Sequence, residues 1–151
     1  MSIPAELKEG GNWAQFPCPP SANKLWRISR NRQHRSKEYD TWLDIVVPMM
    51  KRKLKPVNGQ VGVKVLLQLG KGITVRSDLD NFIKPVMDAL KPPSYGEDGK
   101  VSKVGSARIE EDNLNFVHEI FLRALPRTGK KAGCNDESCI WVEVYPLGGT
   151  E

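Results

Sequence analysis

The clearest pattern in the chain is an alternation of apolar and polar positions just before residue 70. The run QVGVKVLLQL places one face of apolar side chains at every second position: Val61, Val63, Val65, Leu67 and Leu69. The opposite face would carry Gly62, Lys64 and Gln68. A repeat of two residues is typical of a β-strand, so the pattern predicts a strand over this run.

Two other segments have helical spacing. After Ser36, which is a suitable N-cap, apolar residues recur every three or four positions: Tyr39, Trp42, Leu43, Val46, Met49 and Met50. A second helix is predicted from Asn81 to Leu90, with an apolar stripe of Phe82, Ile83, Val86, Met87 and Leu90. Pro85 falls near the first turn of this helix, where its missing N–H costs least.

The ends of the chain predict further strands. Trp13 to Phe16 reads as a short strand that leads into a proline-rich loop. Phe116 to Leu122 fits both a strand and a helix, and we predict a strand that pairs as a hairpin with a terminal strand over residues 140–144. Residues 101–109 remain open between a strand and an irregular segment. The predicted fold is therefore α+β: a single small domain over residues 1–151, with a mixed β-sheet packed with helices and a C-terminal β-hairpin.

Charge suggests a polyanionic partner. The 151 residues carry a formal net charge of +5, and many of the basic residues lie together in one segment: Arg27, Arg30, Arg32, Arg35 and Lys37. Such a segment is typical either of nucleic-acid binding, which releases condensed counterions, or of a solvated loop. The sequence has no apolar run of the roughly 18 residues that a membrane span needs, and its N-terminus lacks the features of a signal peptide. We therefore expect a cytoplasmic protein.

The three cysteines do not predict a disulfide framework. Cys18, Cys134 and Cys139 make an odd number in a chain with no export signal. A zinc site built from two of them with His34 and His118 is rejected, because a single pair of cysteines four residues apart has little specificity.

Two aspartates, Asp78 and Asp80, stand at alternate positions just before the second predicted helix. An aspartate there can cap the helix and complement its dipole, which accounts for one of them. In an extended segment both carboxylates would project to the same side, where their repulsion calls for a cation such as Mg²⁺. Lys84 follows one helical turn after Asp80 and could reach a phosphate beside the metal. Spacing alone leaves capping and metal binding both open.

At this point the sequence resembles a family, the RusA-like Holliday-junction resolvases, which are small endonucleases found in phages and prophages. The segment DLDNFIKPVMDAL is similar to their signature D-x-D-N-x-x-K-x-x-x-D-A-L, matched from Asp78 to Leu90. Upstream, PPSANKLWR resembles the family's proline-proline-serine-x-asparagine opening. The two motifs occur in the expected order, and the resemblance covers nearly the whole chain.

The resemblance implies a third metal-binding aspartate in a D-D or E-D pair after the helix. Two pairs match: Glu97-Asp98, at the usual short distance, and Glu111-Asp112, behind an apparent insertion from Pro92 to Arg108. We predict Asp112, because Asp98 lies in GEDGK, which has the composition of an exposed turn. Asp98 remains the alternative.

The resemblance also implies a mechanism and partners. Asp78, Asp80 and Asp112 would bind Mg²⁺, for which Mn²⁺ can substitute, and Lys84 would act on the scissile phosphate. A homodimer would cut branched DNA at a four-way junction, without an organic cofactor, in the cytoplasm of a bacterial host or from a phage-encoded gene. The candidates for DNA contacts are Asn23, Arg27, Arg30, Arg32, Arg35 and Arg76. The competing hypothesis is a protein that binds branched or single-stranded nucleic acid without cutting it.

Overall fold

The predicted strand that begins at Val61 becomes an inner strand of a four-stranded sheet in the computed structural model. The structure describes residues 3–20, 26–29, 32–35, 37–68, 79–126 and 138–148, and of 26–29 and 32–35 it describes the backbone. The strands are β1 (Trp13–Pro17), β2 (Trp26–Ser29), β3 (Arg32–Arg35), β4 (Val61–Gln68), β5 (Ser94–Tyr95), β6 (Val101–Lys103), β7 (Val117–Leu125) and β8 (Cys139–Pro146). The helices are α1 (Lys37–Lys53) and α2 (Ile83–Leu90), and a 3₁₀ turn, Leu79–Phe82, leads into α2. The predictions of β1, α1, β4, α2, β7 and β8 are thus confirmed.

The main sheet is mixed, as predicted. Its strand order is β1-β8-β4-β7. β4 runs antiparallel to β8 and parallel to β7. Because a parallel pair needs a long crossover, the chain between β4 and β7 has room for α2 and for the segment that follows it.

The predicted pairing of the last two strands is wrong. β7 and β8 both exist, but β4 lies between them and pairs with each. Sequence alternation fixes which side chains share a face and leaves the lateral neighbour of a strand open, which explains the error. The C-terminal half of the chain does contain a β-hairpin, which is formed by β5 and β6.

Both faces of the sheet are covered. On one face α1 and α2 pack over alternate side chains of β4, including Val63 and Val65, and form the main core. On the other face Leu66 packs with Leu7, Leu125 and Trp141 in a second buried cluster. The polar face expected for β4 therefore holds a buried leucine, because the N-terminal segment lies over it.

Three strands were missed by the sequence interpretation: β2, β3 and the two-residue β5. The segment expected to be a basic loop contains β2 and β3, which pair with each other as an antiparallel ribbon.

None of the helices in the described residues is long and apolar enough to cross a membrane.

Candidate active site

The N-terminal end of α2 carries two of the predicted site residues. Asp80 lies in the 3₁₀ turn and Lys84 in the first turn of α2, and both are exposed. The N-cap position of α2 is occupied by Phe82, whose side chain makes no capping hydrogen bond. Asp80 therefore does not serve as the N-cap of this helix, and its carboxylate faces solvent.

A buried carboxylate, Asp88, lies one helical turn after Lys84. Asp88 is 5% exposed and accepts a short hydrogen bond from the hydroxyl of Tyr39 on α1. Its Oδ1 lies 3.5 Å from Nζ of Lys84 and 3.5 Å from Nζ of Lys91. Because two ammonium groups and a hydroxyl already surround this carboxylate, Asp88 is suited to orient the lysines rather than to bind a metal.

Lys91 connects α2 to Asp112. Its Nζ lies 3.6 Å from Oδ2 of Asp112, in addition to its contact with Asp88. The Asp112 side chain is 32% exposed, so its carboxylate remains accessible from solvent. The ion pairs therefore form a continuous chain from Lys84 through Asp88 and Lys91 to Asp112.

Asp112 reaches this position because the preceding segment is fastened to the end of α2. The backbone N–H groups of Ser106, Arg108 and Ile109 donate to the carbonyls of Ala89 and Leu90. These are among the final carbonyls of a helix, which have no partner within the helix itself. We call this fastened segment, Gly105 to Ile109, the clamp. The chain leaves it close to α2, and Asp112 follows three residues after Ile109.

The clamp is tight and joins both helices. Gly105 packs so closely that a Cβ atom there would lie 2.2 Å from the carbonyl oxygen of Lys91. Ala107 adopts a φ of 54°, the left-handed conformation that residues other than glycine rarely take. The Arg108 guanidinium donates to the carbonyl of Leu54 at the end of α1, 3.0 Å away. The apparent insertion thus holds the two helices and the Asp112 segment together.

Asp98 lies in a different environment. It is exposed at the turn between β5 and β6, where its Oδ1 accepts a hydrogen bond of 3.0 Å from the backbone N–H of Lys100. The adjacent Gly99 has a φ of 79°, as such a tight turn requires. Asp98 therefore has a local role in the hairpin.

The remaining candidates differ in how far the structure describes them. Arg27, Arg32 and Arg35 lie on the β2–β3 ribbon, where Trp26 pairs with Arg35 and Arg27 with His34. The other predicted residues lie outside the described residues: Asn23, Arg30, Arg76 and Asp78.

The donor chemistry at α2 suits a hard cation. Mg²⁺ is usually bound through one or two carboxylates, with waters and substrate phosphate oxygens completing its ligands. Asp80 and Asp112 offer accessible carboxylates of this kind. Within the described ranges, no three His, Cys, Asp or Glu side chains are grouped closely enough to hold a metal ion, and Asp78 is not in those ranges.

Three residues of this site were not predicted from the sequence. Asp88 and Lys91 could have been found, because they stand four and seven positions after Lys84, on the same side of a helix. Tyr39 gave no such signal, since its contact with Asp88 joins residues 49 positions apart.

Comparison with known proteins shows which family the chain resembles. A family model described as Endodeoxyribonuclease RusA matches residues 17–118. The crossover junction endodeoxyribonuclease RusA of Escherichia coli O139:H28 (strain E24377A / ETEC) is 31% identical over 86 residues, which are 57% of this chain and 72% of the relative. The proteins of the same name from Escherichia coli strain K12 and from Enterobacteria phage 82 are each 32% identical over 80 residues, covering 53% of this chain and 67% of the relative.

Proposed function

Because the chain belongs to the RusA family of endodeoxyribonucleases, we propose that it is a magnesium-dependent crossover junction endodeoxyribonuclease. It would resolve Holliday junctions in recombination and repair by hydrolysing two phosphodiester bonds in paired strands. The observation that carries this proposal is the chain of ion pairs along α2, which joins Lys84 to Asp112, with the exposed Asp80 four residues before Lys84.

The residues around α2 take distinct roles in this proposal. Asp78, Asp80 and Asp112 would hold Mg²⁺, for which Mn²⁺ could substitute, and the bound ion would supply an activated water and neutralise charge on the phosphate oxygens. Lys84 binds the scissile phosphate with its exposed ammonium group. Asp112 is favoured over Asp98 as the third ligand because Lys91 links it to α2, whereas Asp98 caps its own turn.

Asp88 and Lys91 are positioning residues in the same scheme. The Asp88 carboxylate holds the ammonium of Lys84 from the buried side, which limits the orientations that the lysine can take. Lys91 holds Asp112 next to the helix and balances part of the negative charge that the metal-binding carboxylates place there. Positioning of this kind accelerates a reaction because the reacting groups are held in the correct geometry.

The DNA would lie across the β2–β3 ribbon and the N-terminal end of α2. Arg27, Arg32 and Arg35 supply positive charge from the ribbon, Arg30 and Arg76 add to it, and Asn23 adds a neutral hydrogen-bonding amide. These side chains would contact phosphates and thereby position the junction. Two symmetric cuts require two active sites, so the functional unit is proposed to be a homodimer that acts in the bacterial cytoplasm.

A cleavage assay tests the proposal. The purified protein is incubated with an immobile synthetic four-way junction or with a linear duplex of the same sequence, with Mg²⁺ or with a chelator, and nicks are mapped on every strand. We expect paired, symmetric nicks at the junction only when Mg²⁺ is present, and none with the chelator. Tight junction binding without nicks under either condition would instead support a binding protein that does not cut.

Three matched substitutions test the metal-binding assignment. Asp80→Asn and Asp112→Asn should each abolish cleavage and preserve junction binding. Asp98→Asn makes the same chemical change in the β5–β6 turn and should leave cleavage unaltered. Loss of cleavage in Asp98→Asn with full activity in Asp112→Asn would reverse the assignment of the third ligand.

A further inference from the structure

One edge of the main sheet has the features of an interface. β7 is nine residues long, and among the described strands it pairs with β4 alone. Ile120 and Phe121, in the middle of the strand, are 49% and 40% exposed. The opposite edge strand, β1, has five residues and ends at Pro17, which limits further pairing. β7 has neither a proline nor a lysine to protect its edge.

The side chains of β7 alternate between the two faces of the sheet. Ile120 and Leu122 stand opposite Val63 and Val65 of β4, on the face that carries α1 and α2. Glu119, Phe121 and Arg123 fall on the other face. An exposed aromatic residue thus lies between an acidic and a basic residue on the same face of one strand.

We propose that β7 pairs in antiparallel fashion with β7 of a second copy of this chain, about a two-fold axis that passes midway between Phe121 and its symmetry mate. The two sheets would then form one continuous sheet of eight strands. In this register Glu119 faces the partner's Arg123, and Phe121 faces its own symmetry mate. On the helical face, Ile120 faces the partner's Leu122. This interface deepens the homodimer of the proposed function and rests on it.

The register follows from charge complementarity and alternation. The axis must pass through a residue, because directly opposed side chains have to lie on the same face of the sheet. An axis at Ile120 would place Glu119 against the partner's Phe121. An axis at Leu122 would place Arg123 against the partner's Phe121. The axis at Phe121 joins opposite charges, and symmetry makes each such pair occur twice.

The two charged residues remain available for these pairs. Glu119 accepts a hydrogen bond from the hydroxyl of Tyr145, and Arg123 pairs with Glu6 at 2.9 Å. The Arg123 side chain is nevertheless 56% exposed and has five N–H donors, so it can contact a second carboxylate. Contacts across the axis would extend the pairs that already exist within each copy.

The proposed dimer also places the two active sites suitably. A two-fold axis perpendicular to a continuous sheet keeps the same face of both copies on the same side. Both α2 helices, with Lys84 and Asp112, would therefore lie on one side of the dimer. A single flat DNA junction could then contact both sites.

Charge reversal tests the register. Dimer dissociation constants are measured by analytical ultracentrifugation for wild type, Glu119→Arg, Arg123→Glu and the double variant, each with its folding verified by circular dichroism. We expect each single variant to weaken the dimer by about tenfold or more, since like charges then face each other twice. The double variant should regain wild-type affinity. Ile45→Lys, which replaces an exposed residue of α1, is the control and should not alter the dimer.

A cross-linking measurement covers the case in which a charge variant fails to fold. In a background with Cys18, Cys134 and Cys139 replaced by alanine, Phe121→Cys should form a disulfide-linked dimer under mild oxidation, because the two thiols meet on the axis. Ile120→Cys faces the partner's Leu122 and should cross-link much more slowly. If charge reversal leaves the dimer dissociation constant unchanged and Phe121→Cys forms no disulfide-linked dimer, this interface is overturned and the proposed nuclease function is left intact. A protein that stays monomeric while cutting junctions would overturn the interface and the homodimer together.

Discussion

The buried carboxylate at α2 leads to the most specific prediction. In Asp88→Asn the side chain keeps its shape and loses its charge, so Tyr39, Lys84 and Lys91 all lose their ionic partner. Hydrogen bonds to charged groups contribute about 1.5–3 kcal/mol and neutral ones about 1 kcal/mol, so the Tyr39 bond should weaken by about 1 kcal/mol. The lysine side chains are 52% and 26% exposed, and each pair should contribute about 0.5 kcal/mol.

Together these losses should lower the free energy of unfolding by about 2 kcal/mol, measured by urea denaturation. The loss of activity should be larger than the loss of stability explains, because the Lys84 ammonium no longer has the carboxylate that orients it. We expect kcat on a four-way junction to fall by about tenfold to a hundredfold, with the junction dissociation constant nearly unchanged.

Tyr39→Phe is the matched control for Asp88→Asn. It removes the Tyr39 hydroxyl that donates to the same buried carboxylate and should cost about 1–3 kcal/mol of stability. Asp88 keeps its charge and its ion pairs with both lysines. Cleavage by this variant should therefore stay close to that of wild type. An equal loss of kcat in both variants would reduce Asp88 to a structural role, and full activity in Asp88→Asn would refute the positioning argument.

Three further predictions concern the clamp, the second face of the sheet and the pH dependence of stability. Gly105→Ala should destabilise the protein by about 1–3 kcal/mol, because the new methyl group collides with the Lys91 carbonyl, and an unchanged urea midpoint would contradict the clamp. Lys64→Met should cost about 3 kcal/mol, since it leaves Glu143, which is 2% exposed, without the cation now 3.6 Å away; Lys64→Met with Glu143→Leu should recover most of this loss. Burial raises the pKa of the Cys18 thiol from 9.0 to about 12. The thiol is therefore deprotonated at a lower pH in the unfolded chain than in the folded protein, and the free energy of unfolding should fall as pH rises from about 9 to 12. Cys18→Ala should flatten that part of the pH profile.

The local elements of the fold could be predicted because their signals are local. The period of two along β4 and the apolar stripes of α1 and α2 depend on residues within a few positions of one another. The spacing of Asp80 and Lys84 likewise placed both residues at one end of α2. The D-x-D-N-x-x-K motif was therefore sufficient to locate part of the candidate site along the chain.

The sequence predicted Asp112 rather than Asp98 as the third ligand, and the contacts that support this proposal in the structure are ones that the sequence does not display. The composition of GEDGK correctly suggested that Asp98 lies in an exposed turn. The clamp from Gly105 to Ile109 brings Asp112 to Lys91, and it works through backbone hydrogen bonds to α2 that any sequence could make. No pattern of side chains encodes such bonds directly.

The sequence by itself determined where β1, α1, β4, α2, β7 and β8 lie along the chain, which faces of α1 and α2 are apolar and which motif resembles a nuclease family. Only the tertiary structure decided that β4 lies between β7 and β8, that Leu66 is buried on the second face and that Tyr39 meets Asp88. The physical reason is that side-chain periodicity specifies the face of an element, whereas its lateral neighbours are joined by backbone hydrogen bonds that are alike for all residues. Contacts between distant positions are therefore fixed only when the whole core packs.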